Sequence, residues 1–195
     1  MPPQDAELDA LSDDALMVLF ARGDTPAARV LTKRLLPKAL GHAARVLGNQ
    51  AEAEDVAQEA MLRLWRAAAD WKTDGPARPA TWLYRVTANL AVDRIRARVK
   101  STPLDTVPEP PDETKAPAEQ MDDATRRAAL DAALQDLPER QRQAVVLRHI
   151  EGLSNPDIAT ALDISVEAVE SLTARGRRAL AAALKDQKEA LGYDS

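Results

Sequence analysis

The stretch LQDLPERQRQAVVLRHIEGLSNPDIATALDISVEAVESLTARGRRALAAAL, Leu134 to Leu184, decides how this chain folds. It divides into three helical segments. Pro138 suits a first helical position, where its missing N–H removes no bond. Ala144, Val145, Leu147 and Ile150 follow at helical spacing, and Gly152 closes that helix. Ser154 offers an N-cap, Pro156 stands just inside the next helix, and Asp157 favours its first turn. Ile158, Ala159 and Leu162 form an apolar stripe. Asp163 falls at the turn and Ser165 caps a last helix. Two short helices joined by so tight a turn make a helix-turn-helix, whose second helix can lie in a DNA major groove.

The last helix has two faces. Val169, Leu172, Leu180 and Leu184, with Gly176 between them, are expected to pack inward. Glu167, Glu170, Ser171, Ala174 and Arg178 share the other face, flanked by Arg175 and Arg177. Arginine bonds guanine bidentately, glutamate accepts from cytosine N4, and serine serves phosphates or bases. The bland alternative is an amphipathic helix with a solvated charged face. The capped short helix before it favours DNA binding.

Around this module lie 195 residues, enough for one large domain or two small ones. Alanine, leucine, arginine and glutamate dominate, and alternating β-branched runs are few, so an all-α fold without a substantial sheet is expected. Cysteine is absent, which excludes disulfides and thiolate metal sites. His42 and His149 are the only histidines, too few for a histidine-based metal site or catalytic cluster. No cofactor or metal is expected. The chain has no uncharged run that would span a bilayer and its N-terminus is acidic, so no membrane insertion is expected, and a cytoplasmic protein is.

The net charge of −5 is awkward for binding DNA unaided, because such binding neutralises phosphates. The charge is uneven, however. Arg78 to Lys100 holds six basic residues and one acidic, whereas Leu104 to Asp123 holds seven acidic and one basic. DNA contact is therefore local, or a larger partner supplies much of the electrostatics.

Residues 1–11 read as polar and loose. Ser12 caps a helix to about Arg22, with Asp13 and Asp14 in its first turn. Gly23 and Asp24 break it, and Thr25 and Pro26 read as cap and first position of a helix to about Leu47. Pro37 inside that pattern is expected to kink or divide it. Gly48 and Asn49 stop it. Ala51 to Ala69 is the clearest helix of the first half, with Ala57, Ala60, Met61, Leu64 and Ala68 buried. Asp55, Gln58, Glu59 and Leu62 lie on another face, an apolar residue beside an acidic patch. This would suit a basic partner helix; a solvated face is the simpler reading of the pattern alone. A loop from Trp71 to Pro79 precedes a basic helix from about Ala80 to Lys100. Trp82, Leu83, Val86 and Leu90 face inward there. Arg85, Asn89 and Arg96 share an outer face, and Arg94, Arg98 and Lys100 add charge. A basic helix beside tryptophans suits single-stranded nucleic acid, with Asn89 the residue able to bond a base edge. Residues 101–121 carry five prolines between Pro103 and Pro117 and read as an acidic, extended linker. Two domains follow, residues 1–100 and 122–195, the second opened by a helix from Asp122 to Asp136.

Three stretches then carry a resemblance. AEDVAQEAMLRLWR (Ala53 to Arg66), TWLYRVTANLAVDRIRAR (Thr81 to Arg98) and LPERQRQAVVLRHIEGLSNPDIATALDISVEAVESLTARGRRAL (Leu137 to Leu180) resemble, in this order and spacing, regions 2 and 4 of bacterial sigma factors of the extracytoplasmic-function class, sigma-70 family. The likeness covers nearly everything beyond the first dozen residues.

The resemblance implies two helical domains, one docking on core RNA polymerase and reading the minus-10 element, the other reading the minus-35 element. It implies that Asp55, Gln58, Glu59 and Leu62 meet the clamp helices of the polymerase β′ subunit, and that the second domain meets the β flap. It implies that a minus-10 base flips out near Asn89, under the loop carrying Trp71 and beside Arg85, with Arg94, Arg96 and Arg98 on phosphates. Glu167, Glu170, Ser171 and Arg175 would face the minus-35 element, with Arg177 and Arg178 on its backbone. It also implies control by an anti-sigma protein, in a stress response. Asp163 stands where relatives commonly have glycine, and Leu172 and Ala174 where they are often basic or aromatic, so fewer direct base contacts are expected. A stand-alone helix-turn-helix repressor explains the C-terminal module but neither the Asp55 cluster nor the Arg78 to Lys100 run. An enzyme is not expected, since there is no phosphate loop, metal cluster or activated nucleophile. A sigma-like decoy is separated only by a transcription assay. The two domains could bridge a partner or pack together at rest, and the sequence leaves both open.

Overall fold

The computed structural model describes residues 7–75, 77–101 and 118–190, and every regular element among them is helical. Residues 102–117 of the predicted linker lie outside these residues, whereas Ser101 and residues 118–121, read as extended linker, belong to helices, so the second domain's first helix starts four residues before the expected Asp122. The first domain is built from α1 (Asp13–Ala21), α2 (Thr25–Leu47), α3 (Gln50–Ala67) with a 3-10 turn at Ala68–Asp70, and α4 (Pro79–Ser101). The second contains α5 (Ala118–Gln135), α6 (Glu139–Val145), a π turn at Val146–Ile150, α7 (Asn155–Leu162) and α8 (Val166–Ala190).

Local chemistry sets the helix starts. The Ser12 hydroxyl accepts from Ala15 N at 3.2 Å, and Asn49 Oδ1 accepts from Glu52 N at 3.0 Å. Ser154 and Ser165 do the same for α7 and α8. Each such cap satisfies an N–H that would otherwise be orphaned. Asp163 adopts the left-handed conformation at φ 54°, as the tight turn requires.

Several expectations need correction. Residues 7–9 are helical rather than loose, and Arg34 donates to the carbonyls of Asp9 and Leu11 and so ties this segment down. Asp24, not Thr25, caps α2, with Oδ1 accepting from Ala27 N at 3.0 Å. Pro37 does not divide α2, which runs unbroken for 23 residues. Leu35 and Ala39, one on each side of it, are fully buried, so tertiary packing outweighs the missing hydrogen bond. Pro138 sits at the cap position just before α6. The helix closed by Gly152 does not continue as α to its end, since its last turn is π. Leu172, Leu180 and Leu184 are half-buried, so only Val169 and Gly176 pack fully on that face.

The main core joins α1 to α4 through Leu16, Met17, Leu31, Leu35, Leu64 and Leu83, all at most 1% exposed. Burying each such side chain contributes about 1.5–3 kcal/mol. In the second domain Leu134, Leu137, Val145 and Val146 pack together with Leu180 against them. Gly176 lets α8 approach α6 closely. A Cβ there would lie 2.6 Å from Val145 Cγ2.

The two domains pack on each other. Tyr84 of α4, only 3% exposed, points away from its own core into Leu147, Ile158, Ala161 and Val169. At the far end of the boundary the last carbonyls of α2 receive donors: Gln135 Nε2 bonds Arg45 O at 2.8 Å and Arg142 Nη1 bonds Val46 O. These carbonyls have no partner within the helix, and a cation beside them suits its negative end.

Candidate nucleic-acid and partner interfaces

On α3 the inward positions Ala53, Val56, Ala57, Ala60, Met61 and Leu64 are buried. This turns Asp55, Gln58, Glu59 and Leu62 outward. Leu62 is 49% exposed, more than any other large hydrophobic side chain among the described residues. Glu59 accepts from Arg63 Nε at 2.8 Å one turn on, and that bond holds its carboxyl below the usual range. Asp55 Oδ2 stands 3.6 Å from Arg94 Nη1. Both groups are largely exposed, so this pair contributes little.

The loop before α4 is anchored by a residue the sequence did not single out. Asp14 of α1 is 9% exposed. Its Oδ1 accepts from Trp71 Nε1 at 3.1 Å and its Oδ2 from Arg78 Nη1 at 3.0 Å. Trp71 thereby stands edge-on to Trp82, ring centroids 6.3 Å apart. These two rings, with Lys72, Thr81 and Arg85, line a cavity of about 520 Å³ whose far wall includes Thr160 of α7. The only local sign of Asp14 was a carboxylate in a first helical turn, which ordinarily means dipole compensation.

Along α4, Arg85, Asn89, Arg94 and Arg96 are exposed. Asn89 and Arg96 line a second cavity, of about 360 Å³, shared with Gln143, Leu162, Ile164 and Leu172 of the second domain. Arg98 is placed differently. Its guanidinium makes a fork on Glu52, with Nε at 2.9 and 3.0 Å and Nη2 at 2.6 Å, while Nη1 donates to Leu47 O.

On α8, Glu167, Glu170, Ser171, Arg175, Arg177 and Arg178 are exposed. Glu167 stands in the first turn, where its own backbone N–H and then the Ser165 hydroxyl hold its carboxyl below the usual range. Two glutamates and a serine thus lead and three arginines follow along the open side of this helix, side-chain types able to bond base edges and phosphates.

Across the domain boundary, Tyr84 Oη donates to Glu151 Oε2 at 2.6 Å, and Arg45 Nη1 lies 3.5 Å from Glu151 Oε1. Burial first, then the bond to Glu151, pushes the Tyr84 phenol well above its ordinary range. No periodicity signals this contact, which joins positions 67 apart. Among the described residues no group of three or more acidic, histidine or cysteine side chains is arranged to hold a metal ion, and no helix is long and apolar enough to cross a membrane.

Residues 31–101 match the family model for sigma-70 region 2, and residues 127–180 that for sigma-70 region 4. The chain is 34% identical to the ECF RNA polymerase sigma factor SigE of Mycolicibacterium smegmatis, over 92% of its own length and 66% of that protein's. It is 33% identical to the RNA polymerase sigma-H factor of Pseudomonas aeruginosa, over 89% of its own length and 94% of that protein's. Among solved structures it resembles CnrH in complex with the cytosolic domain of CnrY. There the TM-score is 0.66 and the identity 29%, covering 89% of this chain and 97% of the other. It shares its fold with the sigma factor RpoE of Bartonella quintana, solved with the anti-sigma factor NepR, at TM-score 0.61 and 21% identity, covering 79% and 94% of the two chains. The chain belongs to the sigma-70 family, as an extracytoplasmic-function RNA polymerase sigma factor.

Proposed function

We propose that this sigma factor works in the cytoplasm, without catalysis of its own, by docking on core RNA polymerase and carrying it to promoters. Leu62 and the polar groups Asp55, Gln58 and Glu59 form the surface for the β′ clamp helices. Trp71, Arg85, Asn89, Arg94 and Arg96 serve the minus-10 strand, Arg98, expected among them, instead braces Glu52, and the cavity between Trp71, Trp82 and Arg85 is the place for a flipped base. Glu167, Glu170, Ser171, Arg175, Arg177 and Arg178 serve the minus-35 duplex. An anti-sigma protein holds the factor inactive, and CnrH, which this chain resembles at 29% identity, is likewise seen bound to a partner, the cytosolic domain of CnrY.

The observation that carries this reading is Leu62, exposed in an acidic surround on a helix whose inner face is fully buried. A stand-alone repressor has no use for that patch. The test is binding to purified core polymerase, then promoter binding with and without core, for the wild type and an Asp55→Ala, Gln58→Ala, Glu59→Ala variant. Tight core binding by the wild type alone, with specific DNA binding only in its presence, is expected. Specific binding of a palindromic duplex without core would replace this reading with the repressor.

A further inference from the structure

The cavity of about 360 Å³ beside Asn89 is of a size that suits a small molecule. Helical spacing builds two of its walls. Asn89, Asp93 and Arg96 recur along one face of α4, and Glu139, Arg140 and Gln143 along one face of α6. Leu162 and Ile164, on either side of the left-handed Asp163, and Leu172 of α8 supply the apolar remainder.

Two observations point to an occupant. Gln143 is only 4% exposed, and its Nε2 has no hydrogen-bond partner among the described residues. A buried amide donor calls for an acceptor. Secondly, Asp93, Arg96, Glu139 and Arg140 bring two carboxylates and two guanidiniums to one cavity, yet none of the four makes an ion pair with another described residue. Solvent alone accounts for Arg96 and Arg140, which are exposed. It does not account for Gln143.

The mixture of charges selects the ligand. A plain anion would satisfy the guanidiniums and the Gln143 amide but meet like charge at Asp93 and Glu139. A plain cation would do the reverse. A compact molecule carrying both signs satisfies the whole set.

We propose that this cavity is a binding site for a zwitterion of amino-acid size. Arg96, Arg140 and the Gln143 amide hold its carboxylate, and Asp93 and Glu139 hold its ammonium group. Leu162, Ile164 and Leu172 meet its apolar side chain. The promoter reading does not require such a site. One consequence does rest on that reading: Asn89 and Arg96 also belong to the minus-10 set proposed above, so an occupied site leaves neither to a strand.

The test uses the full chain, with each of the common L-amino acids singly as probe. A ligand that binds the folded chain raises its Tm, and titration calorimetry then gives the affinity. At least one amino acid with an apolar side chain should bind. Its N-acetyl form, which lacks the ammonium group, and its amide, which lacks the carboxylate, should each bind at least about tenfold more weakly. Gln143→Leu and Arg140→Gln lie outside the proposed DNA and polymerase surfaces, and each should weaken binding about tenfold. Without ligand, Gln143→Leu should hold or raise the Tm, since the unpaired donor is gone. Arg140→Gln, at an exposed position, decides the matter should Gln143→Leu not fold. The proposal is overturned if no amino acid raises the Tm, if either derivative binds as well as its parent, or if Arg140→Gln keeps the wild-type affinity. Promoter opening should fall when the factor is premixed with the ligand before core is added. Unchanged opening with a site shown filled by calorimetry would strike the minus-10 consequence alone.

Discussion

The imidazole of His42 and the ring of Tyr84 meet edge to face, centroids 5.7 Å apart, and neither imidazole nitrogen has a hydrogen-bond partner. His42 is fully buried, and burial, then the nearby Arg45, pushes its pKa down to about 4. The sign follows directly. The folded chain keeps His42 neutral where the unfolded chain takes up a proton. Stability from this residue is complete above the ordinary value of 6.5 and is lost as pH falls toward 4. The full loss is about 3 kcal/mol. His42→Leu removes the titrating group and should flatten this acid limb. Urea unfolding at neutral pH and at about pH 5 measures it. Equal acid sensitivity in the two proteins would place the proton uptake elsewhere.

Gly176→Ala sets two effects against each other. Alanine favours a helix by about 1 kcal/mol over glycine. The added methyl, however, lies 2.6 Å from Val145 Cγ2 and 3.2 Å from Gln141 O. Valine can shift a little, but the backbone oxygen cannot. Overpacking of this kind costs about 1–3 kcal/mol, so the net change is destabilising and α8 pulls away from α6. Thermal unfolding gives the answer by sign alone: a raised Tm would show that the two helices separate without cost.

Asp14→Ala should act on the loop rather than on the fold as a whole. It removes the acceptor of Trp71 and Arg78 together. Arg78 is mostly exposed and loses little. The partly buried indole N–H loses its acceptor, at about 1 kcal/mol. Tryptophan emission should shift to the red as Trp71 turns out. Promoter opening should fall while core affinity holds. Loss of core binding in step with opening would mean that Asp14 supports the whole first domain.

What was legible in the sequence was local. Ser154, Asp163 and Ser165 sit within a few residues of the groups they cap or turn, so the helix-turn-helix could be read directly. The outward set Asp55, Gln58, Glu59 and Leu62 followed from period 3.6. Pro37 misled because its effect is local while the burial that overrides it, at Leu31, Leu35 and Ala39, is tertiary. Tyr84 shows the other limit. Its neighbours Leu83 and Val86 face the first core, and nothing in their spacing says that Tyr84 meets a different domain. Glu151, just before a glycine at φ 73°, looks like an ordinary turn residue until the two domains are brought together.

Arg98 separates two roles that its charge alone confuses. The resemblance placed it among phosphate contacts, yet its fork grips Glu52 and its remaining nitrogen reaches Leu47 O at the end of α2. Lysine keeps the charge and loses the fork. Arg98→Lys should therefore lower stability by about 1 kcal/mol, since both partners are partly exposed. It should leave strand affinity of the polymerase-bound factor nearly unchanged. Glu52→Gln should destabilise to a similar degree, and the double variant should cost less than the sum of the two. If Arg98→Lys instead unfolds like the wild type but weakens strand binding, the fork on Glu52 is incidental and Arg98 belongs to the phosphate-binding set.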